Sequence, residues 1–159
     1  MLRLDALRFL FGYDRWATRR VLDAARGVDA GTWSAPNAIG ERGLGGILVH
    51  ALGAHQRWRV GWLGRPERPR PELEPLPPLE ELRGRWEAEW VALDEDLDGL
   101  TEGDLLGEVG GLPVWQTHLH LVNHGTQHRS EAAALLTAAG RSPGDLDLVF
   151  YALERRSGA

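Results

Sequence analysis

Four segments of about twenty residues repeat apolar side chains at intervals of three and four, and this period constrains the fold more than anything else in the chain. The first runs from about Leu4 to Arg26, with Leu7, Leu10, Phe11, Ala17, Val21, Leu22 and Ala25 as its stripe and Gly27 as its stop. The second runs from about Leu44 to Leu63, with Ile47, His50, Ala51, Ala54, Trp58 and Trp62 on one face. The third, from about Leu79 to Leu97, shows Leu79, Leu82, Trp86, Trp90, Leu93 and Leu97. The fourth, from about Trp115 to Ala139, shows Leu121, His124, His128, Ala132, Leu135 and Ala139 and ends at Gly140. Four amphipathic helices of this length predict an all-α four-helix bundle spanning residues 1–159 as one domain.

The connections are long. Thr32 to Arg42 is a polar, Gly-containing loop with no period, and Gly64 to Pro78 holds six of the nine prolines, which predicts an extended crossover. Between Leu105 and Val114, Gly110-Gly111 suits the two-residue turn of a small hairpin. Leu146, Leu148, Val149, Tyr151 and Leu153 predict a short C-terminal helix that packs on the bundle.

Composition removes several kinds of chemistry. The sequence has no cysteine, so thiolate ligands, Fe–S clusters, disulfides and a cysteine nucleophile are excluded. It has no lysine either, which excludes Schiff-base chemistry. A formal charge of -5 offers no basic field to nucleic acid. Met1-Leu2-Arg3-Leu4-Asp5 carries an acid where a leader would run apolar, and no stretch approaches a membrane span, so the expectation is a cytoplasmic protein.

The chemistry that remains rests on six histidines: His50, His55, His118, His120, His124 and His128. His120, His124 and His128 form a ladder at i, i+4 and i+8. Its ends are about 12 Å apart along a helix axis, too far for both to ligate one ion. A metal-binding pair is therefore His120/His124 or His124/His128, and the second aligns better with the stripe through Ala132 and Leu135. Two imidazoles do not complete a site. His50, in the stripe of the second helix, is the candidate third ligand, whereas His55 lies about 140° around that helix and is expected to be exposed. The competing reading is a set of hydrogen-bonded core or surface histidines.

Taken together, Tyr13-Asp14-Arg15-Trp16-Ala17, His50 within Ile47–Leu52, and Asn123-His124-Gly125-Thr126-Gln127-His128-Arg129 resemble the DinB-like (DNA-damage-inducible, YfiT-related) family of four-helix bundles. The closing Ser142-Pro143-Gly144-Asp145-Leu146-Asp147-Leu148 extends the likeness over nearly the whole chain. The resemblance implies a divalent metal, zinc or nickel, held by His50, His124 and His128. It implies a homodimer and a thiol-dependent transferase that joins a low-molecular-weight thiol to a small electrophile. It implies a small-molecule substrate, with neither nucleic acid nor membrane as partner. Two departures are visible: Thr18 where many relatives have Asn, and His128-Arg129-Ser130-Glu131 where relatives often read His-Arg-Gly-Gln. Both leave the three histidines intact.

The alternatives to a transferase are a non-catalytic metal-binding or dimerising bundle and a metal-dependent hydrolase. Glu131, one turn beyond His128, is placed to orient an imidazole or act as a base, or else to be a solvated helix residue. Arg129 is placed to meet an anionic substrate or to form a surface ion pair. Tyr13, Trp16, Trp58 and Trp62 either line a pocket or belong to the core.

Overall fold

The computed structural model of the chain describes residues 3–39, 41–66 and 69–157. Met1 and Leu2 of the N-terminal run, Gly40 of the first loop, and Glu67 and Arg68 of the Pro-rich tract lie outside the described residues. The elements are α1 (Leu4–Ala24), α2 (Ala30–Ser34), α3 (Gly43–Trp62), α4 (Leu79–Asp98), β1 (Glu108–Val109), β2 (Leu112–Pro113), α5 (Val114–Ala138) and α6 (Leu148–Ser157). The four long helices fall within two residues of their expected bounds. Among the described residues, no helix is long and apolar enough to cross a membrane.

Helix α5 packs most extensively on α3 and α1, and α4 closes the ring against the same two helices. α1 and α3 therefore stand on one diagonal, α4 and α5 on the other. The connections α1–α3 and α4–α5 cross these diagonals. The first contains α2, a helix of five residues whose first turn is capped by Asp29 accepting from the Thr32 amide. Such a segment is too short to show a period in the sequence. The described residues of the Pro-rich connection are irregular, as expected of a proline-rich crossover, except for one 3₁₀ turn at Pro71–Leu73. In the hairpin, Gly110 and Gly111 take φ of 58° and 77°, the left-handed pair that a tight two-residue turn requires.

The core divides into two apolar clusters. One gathers Val21, Leu22, Leu44, Leu48, Leu52, Leu82, Trp86, Trp90, Ala132 and Leu136. The other gathers Leu7, Phe11, Ala17, Ala54, Leu93, Leu97, Leu105 and Leu121. Between them lies a buried polar belt formed by Asp14 and Thr18 of α1, His55 of α3 and Arg129 of α5. Arg129 Nη1 pairs with Asp14 Oδ1, and His55 Nε2 lies 3.2 Å from Asp14 Oδ2 across the diagonal. Burial by itself would raise the Asp14 pKa, but Arg129 and His55 together outweigh it and hold the carboxyl at about 2.

Two expectations are corrected here. His55 is not exposed; it is 1% accessible and paired with Asp14. Arg129 is neither at the surface nor among the gathered histidines; it is 4% accessible and held by Asp14, Thr18 and Thr126. For Arg129 the reason is that a buried charge is tolerated when an opposite charge is buried with it, and Asp14 of α1 supplies that charge; His55 lies in the same polar belt, its Nε2 facing the other oxygen of that carboxylate.

Gly125 makes the belt possible. A Cβ at this position would overlap the Asp14 carboxylate and lie 2.7 Å from Arg129 Nη1. Gly125→Ala is therefore expected to cost about 2–4 kcal/mol of stability by forcing a buried ion pair apart. Gly84→Ala, in α4 with nothing within 4 Å, is expected to gain about 0.5–1 kcal/mol. Urea unfolding of both variants beside the parent measures the contrast.

Candidate metal centre

Helices α3 and α5 bring His50, His124 and His128 together, with one potential ligand nitrogen from each lying within 4.8 Å of the other two. His124 Nε2 and His128 Nε2 are 3.1 Å apart. The His50 ring centroid is 5.2 Å from that of His124 and 4.8 Å from that of His128. The i, i+4 spacing puts the α5 pair on one helix face, and the close α3–α5 packing brings His50 opposite it. The ladder is thus resolved in favour of His124/His128. His120 is exposed, rests against Trp58 at 5.2 Å, and is not part of the group.

Belt and site share the same helix positions. Gly125, whose missing Cβ leaves room for the Asp14 carboxylate, and Arg129, which pairs with it, each follow a candidate ligand by one residue. The grip of α1 on those positions fixes the rotation of α5, and with it where His124 and His128 point.

The outer nitrogens of two rings are held by carboxylates. His128 Nδ1 is 2.7 Å from Glu131 Oε2, so Glu131 is not merely solvated. Hydrogen bonds from Gln127 and His128 overcome its partial burial and lower its pKa. His50 Nδ1 is 3.2 Å from Glu72 Oε1, which also accepts from Arg57 Nη1 at 2.7 Å. With Nδ1 engaged in this way, each of the two rings is left with Nε2 for an ion. The third ring differs: His124 Nδ1 is buried without a partner.

Burial, reinforced by the neighbouring His128 and His50, pushes His124 down to about 4. His50 is lowered by burial and by His128, with Glu72 opposing. Both rings are therefore neutral at pH 7, the state in which imidazole offers a lone pair to a metal. Three imidazoles with clustered nitrogens fit a divalent transition ion.

His50 is not fully inward as its stripe implied; its side chain is 42% exposed, at the edge of the core. That edge opens into a cavity of about 390 Å³ lined by Ile39, Glu41, Arg42, Gly43, Gly46, Ile47, Glu72 and Glu131, together with His50 and His128. A second cavity of about 390 Å³ lies around Trp62 and His118 but holds no such donor set, so volume does not decide between them. The aromatic residues considered for a pocket do not line the cavity over the histidines. Tyr13 donates to the Leu146 carbonyl, Trp16 to Glu154 and Trp62 to Thr117.

Sequence reasoning missed Glu72, Asp14 and His55. Asp14 and Thr18 occupy the α1 stripe Leu7, Phe11, Asp14, Thr18, Val21, Ala25, and His55 follows Leu44, Leu48 and Ala51 in α3. A polar residue at such a position was a readable signal. Glu72 carried none, because its tract has no period.

His118 is buried and stacked on Trp62, with ring centroids 3.6 Å apart, and its Nδ1–H donates to the Val114 carbonyl. Burial pushes it from 6.5 down to about 4. A depressed pKa means that its contribution to stability is complete above pH 6.5 and is lost as pH falls through about 4. Stability of the metal-free protein is expected to drop by about 3 kcal/mol across that window on this account. In His118→Phe that part of the slope should vanish in urea unfolding measured from pH 7 to pH 4.

The DinB family model matches residues 4–156. No curated protein and no solved structure matches the chain.

Proposed function

The chain belongs to the DinB family, and on that premise we propose that it binds a divalent zinc or nickel ion through His50, His124 and His128 and transfers a low-molecular-weight thiol to a small electrophile. The observation that carries this reading is the donor set. Three imidazole nitrogens cluster beside a cavity, and among the described residues no fourth side chain joins them. A structural site fills its coordination sphere with protein ligands, whereas a catalytic site leaves a position open. That favours the transferase over a non-catalytic bundle.

A divalent ion held there supplies Lewis acidity, which favours the thiolate form of a bound thiol at neutral pH. The chain's own residues do the rest. Glu131 Oε2 holds the proton on His128 Nδ1, and Glu72 Oε1 faces His50 Nδ1. The apolar Ile39 and Ile47 walls of the cavity suit the body of a small electrophile. The sulfur forms a new bond to the electrophilic carbon as the leaving group departs with its electron pair, and the thiol proton passes to solvent. No protein nucleophile is needed, in keeping with a chain that lacks Cys and Lys. A small molecule and a second copy of the chain are the partners this reading carries.

The test is a conjugation assay with N-acetylcysteine and chlorodinitrobenzene. We expect turnover that requires both thiol and metal and that falls to background in the His124→Ala/His128→Ala variant, which should also lose its bound ion by elemental analysis. Metal-dependent turnover of ester substrates without thiol would instead establish the hydrolase. A bound ion that admits neither thiol nor water would establish the non-catalytic bundle.

A further inference from the structure

We propose that Glu72 is a positioning residue for His50, which makes the α3–α4 connection a working part of the metal centre. The inference rests on the metal-binding reading above and concerns how the ring opposite the α5 pair is aimed. His50 is the only member of the trio contributed by α3, and its side chain is 42% exposed, so neighbouring packing does little to fix its rotation. Glu72 Oε1 lies 3.2 Å from its Nδ1. An imidazole that presents Nε2 to an ion carries its proton on Nδ1, and an acceptor there fixes the tautomer and ring angle and raises the basicity of the ligand nitrogen.

The carboxylate occupies a prepared place. A Cβ at Gly53 would lie 2.7 Å from both Glu72 oxygens, so α3 leaves a notch where the carboxylate sits. Its Oε2 is buried there without a partner, an arrangement that costs free energy. The connection is also docked by contacts that do not involve this side chain. Arg42 donates to the backbone carbonyls of Glu72 and Glu74, and Trp33 Nε1 donates to the Pro77 carbonyl. What the side chain adds is its contact with His50 and with Arg57, which shares the same oxygen at 2.7 Å. Arg57 donates to the same oxygen and so draws on the carboxylate charge that faces His50, and removing it separates a positioning role from a docking role.

Zinc affinity is measured by competition with a chromophoric chelator, on protein stripped of metal. Glu72→Ala is expected to weaken binding about 10–100-fold. Gly53→Ala, which keeps the carboxylate but pushes it from its notch, should weaken binding in the same direction. Glu72→Gln should lose less than Glu72→Ala, because the amide oxygen still accepts from Nδ1–H. Arg57→Ala should bind zinc as tightly as the parent or tighter. Circular dichroism and unfolding midpoints of the metal-free variants confirm that each is folded. If Glu72→Ala binds like the parent while His50→Ala does not, the positioning role is overturned and the metal site stands. If Arg57→Ala weakens binding as much as Glu72→Ala, Glu72 acts as a docking partner of Arg57, and the proposal is likewise overturned. A parent that binds neither zinc nor nickel overturns the metal reading and this inference with it.

Discussion

The buried pair of Asp14 and Arg129 is the interaction on which the rest of the arrangement depends. It places opposite charges from α1 and α5 at the middle of the bundle, between two apolar clusters. Replacing such a pair by apolar residues is often neutral or stabilising, whereas removing one partner is expensive. Its value here is in specification. Apolar contacts are non-directional and specify the register of α5 less sharply than a charge that must meet one partner. A guanidinium that must meet one carboxylate, over a glycine that must sit beneath it, allows one register. The residues fixed by that register, Gly125 and Arg129, directly follow His124 and His128. Helix packing and ligand geometry are in this sense one problem, solved by α1.

The candidate metal centre is asymmetric. His128 is braced from within its own helix by Glu131, and His50 faces Glu72 from a connection more than twenty residues away in sequence. His124 has no brace and depends on burial, which also keeps it neutral. Glu131 stands where relatives often have glutamine, and Thr18, the other departure, lies against Arg129 in the belt. Both departures therefore fall behind the ligands. They bear on how firmly the rings are held and on the charge around the three clustered nitrogens, while the donor set stays the same.

Much of this was legible in the sequence, because a periodic signal in one dimension maps directly onto a helix face. Four stripes give four helices, Gly110-Gly111 gives the turn, and an i, i+4 histidine pair gives two nitrogens on one side of α5. What was not legible depended on pairing across elements. His55 reads as exposed if only apolar residues define the stripe, yet it is buried because Asp14 is buried with it. Arg129 reads as a surface charge for the same reason. Residue patterns along one chain do not say which charges meet. Glu72 is the extreme case, since no period marks a single turn within a proline tract. α2 fails differently: five residues complete too little of a helix to display a face.

X-ray absorption spectroscopy on the zinc-loaded protein, before and after addition of a small thiol, tests the central claim most directly. The account predicts one zinc per chain with three imidazole nitrogens at about 2.0–2.1 Å and a light exchangeable ligand. Addition of thiol should replace that ligand with one sulfur at about 2.3 Å. A sphere closed by four protein ligands and unchanged by thiol would contradict the open catalytic site, and a protein that takes up neither zinc nor nickel would contradict the site altogether.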